Sequence, residues 1–225
     1  MGLTMDVLHK IIAGGPHRKT RLHDHQGSLV PLDRLVRNGP KALLSTFNRV
    51  ALGRFIKSPW LSYDGQKILE QHLTPQSRVL EFGSGASTGW FADRAGFVLS
   101  HEDDPKWFGE LDAILGPRPN VVRTLHTSMD SYISVEPEYA KPFDLILVDG
   151  SHRDRCVENN LSLLAEGGIL YLDNSDKHAC EVTGDVPRAR AMLAEQVAMR
   201  GKKVRSIVDF SAAQLYANEA ILLYN

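Results

Sequence analysis

The chain has 225 residues, 43% hydrophobic and 24% charged, with 26 Lys+Arg against 27 Asp+Glu for a net charge of −1. That length admits one domain with an appendage or two small ones, and the composition excludes collagen-like, coiled-coil and wholly disordered chains. The near-zero balance hides an asymmetry: residues 1–60 hold 10 basic and 3 acidic residues (+7), and residues 61–225 hold 16 and 24 (−8).

The first forty residues are rich in Gly, Pro, His and basic side chains and carry little hydrophobic periodicity, so they read as a loop or arm. Leu43, Leu44, Phe47, Val50, Ala51 and Phe55 recur at spacings of three and four, which predicts an amphipathic helix over 41–57. A second helix is expected over 64–73, with Asp64 as its N-cap. From residue 77 short apolar runs alternate with helical stretches. Strands are expected at 79–82, 96–100, 120–125, 143–148 and 168–172, and helices at 86–95, 105–115, 153–165 and 187–200, the last closed by Gly201. Two final strands, 203–209 and 214–224, have no helix between them and form an antiparallel hairpin. The expected fold is α/β: a doubly wound, mostly parallel, seven-stranded Rossmann-like sheet with an antiparallel last strand and a basic N-terminal helical extension over 1–60.

The N-terminal apolar stretch is broken by Asp6, His9 and Lys10, so it lacks a signal-peptide core, and no run approaches the ~18 apolar residues of a membrane helix. Cys156 and Cys180 form no CxxC pair. Two thiols fit a reducing compartment, and the expected location is the cytoplasm with no membrane partner.

The first strand ends in Glu81-Phe82-Gly83-Ser84-Gly85-Ala86-Ser87-Thr88. Parallel sheets bind ligands at such carboxyl ends. Gly83 and Gly85 permit a sharp turn and close approach of a ligand, and Ser84, Ser87 and Thr88 surround them at the start of the next helix. Glu102 follows 19 residues after Gly83, where doubly wound folds present an acid to ribose hydroxyls. Thr88 stands where a dinucleotide fingerprint has its third glycine. Glu81 would repel a pyrophosphate but accept bonds from an ammonium group. Both features favour an adenosine ligand without pyrophosphate over a nicotinamide cofactor.

The segment Val79–Thr88 resembles the first motif of class I S-adenosylmethionine-dependent methyltransferases and is similar to a bacterial subgroup whose motif reads EFGSGxST. Leu147-Val148-Asp149-Gly150, Gly167–Asp176 and the terminal hairpin resemble the same family, so the resemblance covers roughly 77–225 and defines a cofactor-binding domain over 61–225. It implies that Glu81, Gly83 and Gly85 line the methionine end of S-adenosylmethionine, that Glu102 holds the ribose, and that Met129 and Asp130 lie near the adenine.

Methyl transfer to a hydroxyl needs alignment of the nucleophile and removal of its proton. Asp149, Asp173 and Asn174 resemble the metal triad of divalent-cation-dependent O-methyltransferases and would suit Mg²⁺, although the same residue types also cap turns. Asp149 and His152 are the candidate catalytic residues, and His152 is the best base if no metal is present. A zinc alternative would use His152, Cys156, His178 and Cys180. Trp60, Trp90 and Trp107 are either core residues or walls of an acceptor pocket, and Pro59–Tyr63 has the position of a lid.

The leading expectation is therefore an S-adenosylmethionine-dependent methyltransferase acting on a small-molecule acceptor at oxygen, with Mg²⁺ as the candidate second cofactor. The basic first 60 residues keep two alternatives open, methylation of RNA or another anionic polymer and pairing into a homodimer. The acidic remainder argues against a nucleic-acid partner. A non-catalytic adenosine-binding module is the third reading.

Overall fold

The computed structural model describes residue 13 and residues 17–180 and 184–225; the stretch holding Asp6, His9 and Lys10 lies outside them. In chain order the elements are α1 (Leu32–Leu52), α2 (Tyr63–His72), β1 (Arg78–Phe82), α3 (Ala86–Ala92), β2 (Phe97–Glu102), α4 (Pro105–Leu115), β3 (Val121–Leu125), α5 (Met129–Tyr132), β4 (Phe143–Val148), α6 (Arg153–Asn160), β5 (Leu164–Leu172), α7 (Asp185–Arg200), β6 (Lys203–Phe210) and β7 (Ala217–Tyr224), with short 3-10 turns at Leu161–Leu163 and Ser175–Ala179.

The strands form one seven-stranded sheet in the order β3-β2-β1-β4-β5-β7-β6. All neighbours pair in parallel except β7, which runs antiparallel to both β5 and β6. The expected α/β architecture, with its reversed last strand, is therefore the architecture found. Strand order reverses between β1 and β4, which puts the ligand crevice at their carboxyl ends.

The strands are nearly continuous apolar runs because both sheet faces are covered. Leu80, Phe82, Leu99, Ile146, Val148, Leu170 and Leu172 pack on one face against Tyr132, Cys156, Val157, Ala189 and Leu193. The alternate residues Val79, Val98, Leu145, Leu147, Ile169 and Tyr171 pack on the other against Leu61, Leu69 and Phe91. Among the described residues no helix is long and apolar enough to cross a membrane.

Several expected boundaries move, those of the first two helices among them. The helix predicted over 41–57 is α1, which starts at Leu32, carries Pro40 within it, and stops at Leu52 because Gly53 takes a left-handed φ of 61° and donates to the Asn48 carbonyl. Its polar side is held from afar: the Asn38 amide donates to Asp209 (2.8 Å), and Arg34 and Arg37 donate to Asp64 (2.8 and 2.7 Å). Its apolar stripe faces outward, with Val36, Phe47 and Val50 exposed by 70, 57 and 76%. Asp64 does not cap α2; the Ser62 hydroxyl does, accepting from the Gly65 N–H at 3.1 Å.

Candidate functional site

β1 ends by delivering Glu81 into the interior, where its carboxylate accepts bonds from the hydroxyls of Ser87, Thr88 (2.6 Å) and Ser100 (2.6 Å). Burial pushes this carboxyl up to about 7 against the pull of those three donors, and the nearby Asp149 charge adds to the rise. Glu81 and the hydroxyls of Ser87 and Thr88 thus bond to one another beneath the turn. The turn itself needs a glycine at 83: φ is +96°, and a Cβ there would sit 2.8 Å from the Gly150 nitrogen. The first and fourth strand ends therefore touch backbone to backbone. Gly85 is extended, and its N–H donates to the Thr88 hydroxyl at 3.0 Å.

Glu102 closes β2 beneath the same turn. One oxygen accepts from the Ser84 N–H (3.0 Å), the other from the N–H groups of Asp103 and Asp104 (2.9 Å each). Burial raises its pKa while those backbone donors lower it. The Ser84 hydroxyl bonds Ser100 at 2.7 Å, and its carbonyl accepts the Trp107 indole N–H at 2.8 Å. Beside Glu102 opens a cleft of about 190 Å³ lined by Asp103, His126, Thr127, Ser128, Met129, Tyr132 and His152. Met129 is one of the residues that line it. Asp130 does not line this cleft; it sits on α5, where its carbonyl accepts the Ser134 hydroxyl at 2.6 Å.

His126 and Tyr132 were not predicted. His126 is 5% exposed, its ring centroid is 4.5 Å from that of buried His101, and among the described residues its Nε2 has no hydrogen-bond partner. Its position directly after β3, beside the strand that Glu102 closes, is the signal that could have found it.

The loops after β4 and β5 bring Asp149, Asp173 and Asn174 together. The Asp149 and Asp173 carboxyls lie within hydrogen-bonding reach of each other, and burial raises both pKa values, the Asp149 charge lifting that of Asp173 further. Such a pair titrates as a unit rather than as two separate groups. The Asn174 amide donates to Asp173 at 2.8 Å from a left-handed backbone (φ 47°). Arg153, which sequence reasoning also missed, is the clamp of this region. Its buried guanidinium donates to the carbonyls of Gly150 (3.0 Å), Asp149 (3.0 Å) and Asp173, and lies 3.6 Å from the Asp149 carboxylate. His152, also left-handed (φ 50°), is exposed and turns its ring toward Tyr132, centroid to centroid 6.3 Å.

The zinc alternative is not assembled. Among the described residues no three or more His, Cys, Asp or Glu side chains are placed to hold a metal ion. Cys156 is buried beside the Ser151 carbonyl, and His178 Nδ1 bonds the Ser175 carbonyl at 2.9 Å. The proposed Mg²⁺ set is a different case, two carboxylates and one amide, all hard oxygen donors. Two carboxylates this close, with Arg153 3.6 Å from Asp149 as their counter-charge, form a set that a dication would neutralise further. These residues fit the ion.

The arm docks at the corner next to this loop. Arg18 donates to the Asn218 side chain (2.6 Å) and stacks with Arg21 on the Tyr216 ring. The fully buried Asp176 accepts the backbone N–H groups of His25 (3.0 Å) and Glu219 (3.2 Å). Glu219 accepts from Gln26 (2.8 Å), Ser175 (2.8 Å), Ser206 (2.6 Å) and Arg190. With Arg18 3.7 Å from Asp176, and Arg34 and Arg37 on Asp64, part of the basic surplus of residues 1–60 answers carboxylates of this chain.

No protein-family model and no curated protein sequence matches the chain. Solved structures do. The cofactor-bound Rv0187 from MTB is 20% identical, with a TM-score of 0.56 over 81% of this chain and 88% of its own. The O-methyltransferase from Bacillus cereus in complex with SAH is 18% identical (TM-score 0.55; 85 and 93% of the two chains). The O-methyltransferase TomG from Streptomyces achromogenes, in complex with SAM, is 19% identical (TM-score 0.53; 82 and 88%). At these identities the likeness is one of fold, a Rossmann-like α/β sheet that this chain shares with those two O-methyltransferases.

Proposed function

We propose that the protein transfers a methyl group from S-adenosylmethionine to an oxygen of a small-molecule acceptor. The observation that carries this reading is the glycine turn at the switch point, with the Glu102 carboxylate fixed 3.0 Å from the Ser84 N–H beside an open cleft. Glu102 would take the ribose hydroxyls, and Met129, His126 and Tyr132 would wall the adenine. The EFGSGxST-like segment 81–88 and the O-methyltransferases that share the fold support the same cofactor.

In this reading the Asp149–Asp173 pair and Asn174 would stand next to the methyl group. A carboxyl pair with raised pKa can accept a hydroxyl proton as the nucleophile attacks. Arg153 holds both strand-end loops in place for it. If Mg²⁺ binds, Asp149, Asp173 and Asn174 hold it, and the ion supplies Lewis acidity that lowers the acceptor's pKa. Arm cations bonded within the chain, Arg18 to Asn218 and Arg34 and Arg37 to Asp64, leave less of a phosphate track, which weighs against the RNA reading.

Calorimetry with S-adenosylmethionine, S-adenosylhomocysteine and NAD tests the proposal. Both sulfur ligands should bind and NAD should not; absence of binding by both would overturn it. Loss of that binding in Glu102→Ala is the expected second result.

A further inference from the structure

From the cavity between the C-terminal half of α1 and the β6–β7 turn, we infer a second ligand site, one that takes a small amphipathic anion. β6 runs parallel to β5, so the turn that follows it, residues 211–216, lies at the same carboxyl edge of the sheet as Asp173. The cavity is an open groove of about 450 Å³, within the range of small-molecule sites. Leu43, Phe47, Val50 and Leu215 give it apolar walls, and Arg21 and Arg49 give it two cations; among the described residues no acidic side chain lines it.

Two further observations make this a built site rather than a bare apolar face. The Arg21 Nε and the Thr46 hydroxyl, both on lining residues, are shielded from water and, among the described residues, have no hydrogen-bond partner. Buried donors without acceptors are costly and rare, and each wants an oxygen. Arg49 also leads from the cavity toward the glycine turn. It donates to the Ala213 carbonyl (3.3 Å) and lies 4.3 Å over the Trp60 ring. Trp60 stands 6.4 Å from Trp107, whose indole bonds Ser84. A ligand here has an apolar body against Phe47 and Val50 and a carboxylate, sulfonate or phosphate at Arg21, a group that guanidinium recognises well. That this ligand is the methyl acceptor rests on the proposed function; the site does not.

The test uses two fluorescent probes of one skeleton, 1-anilinonaphthalene-8-sulfonate and uncharged N-phenyl-1-naphthylamine, titrated into the full chain. The anion should bind at least tenfold tighter. Arg21→Met and the near-isosteric Thr46→Val should each reduce that preference, and Phe47→Asp should abolish binding of both probes. Equal affinity for the two probes, or binding indifferent to all three substitutions, would overturn the site. So would sedimentation showing a dimer that buries this face and excludes the probes. S-adenosylhomocysteine titrated into the same samples reads out the methyltransferase proposal separately, and its affinity should be unchanged by Phe47→Asp.

Discussion

The glycine turn and the corner where the arm docks each bury a glutamate, and the two carboxyls move in opposite directions. Glu81 is surrounded by three neutral hydroxyls, and burial wins, pushing it up to about 7. Burial also pushes Glu219 up, but the Ser206 and Ser175 hydroxyls together with the Arg190 cation hold it below the usual carboxylate range. Hydroxyl dipoles alone do not replace the hydration of a charge, whereas dipoles plus a guanidinium do. The first arrangement leaves a group that can exchange a proton near neutrality beneath the candidate cofactor site. The second fixes a permanent charge where two parts of the chain are joined.

The strongest way to break this comparison is at the turn. Gly83→Ala combines a left-handed backbone with a Cβ 2.8 Å from Gly150, and should lower stability by about 3 kcal/mol in urea unfolding and abolish S-adenosylhomocysteine binding. Gly85→Ala, extended and with only Ser87 at 3.5 Å, should be far milder. At the corner, Asp176→Ala removes the acceptor of two backbone N–H groups and should lose about 2 kcal/mol, with faster proteolysis within residues 17–30. An unchanged unfolding midpoint and cleavage rate would show that the arm is held elsewhere.

The pH dependence sharpens the contrast further. The raised pKa of Glu81 means that its contribution is full below its ordinary value of 4.5 and is lost as pH rises through about 7. Glu219, depressed, contributes above its ordinary 4.5 and loses that contribution as pH falls through its lower folded value. Glu81→Gln should therefore flatten the decline of stability between pH 4.5 and about 7, by at most about 1.4 kcal/mol per pH unit. Glu219→Gln should alter only the acid limb. The smallest effect belongs to the exposed pair Lys106–Glu110, 3.9 Å apart, where Lys106→Ala should change stability by less than about 0.5 kcal/mol.

What could be read in advance follows from distance along the chain. Phe143–Val148 and Pro105–Leu115 are found where predicted, because a buried strand and a Pro-started helix are written in consecutive residues. Glu81, Gly83 and Glu102 lie within one βαβ unit, so their turn is visible as a motif. The start of α1 was invisible because Asn38 finds its partner at Asp209. The helix predicted over 153–165 ends at Asn160, whose side chain bonds the distant Ile133 carbonyl as well as that of Cys156. Arg153, His126 and Trp107 gain their roles only when strand ends meet. The outward stripe of α1 inverts its expected burial because the polar side of the helix has the stronger partners.

The place of β7 in the sheet has a consequence for the order in which this chain can fold. β6 precedes β7 in sequence but pairs with the sheet only through it, β7 lying between β5 and β6. Until Ala217–Tyr224 inserts, β5 presents an open apolar edge and β6 has nowhere to bind. Such non-local insertion is slow, and the waiting edge is the segment most open to pairing with another chain. The same strand that completes the sheet is thus the one that sets its exposure to aggregation during refolding.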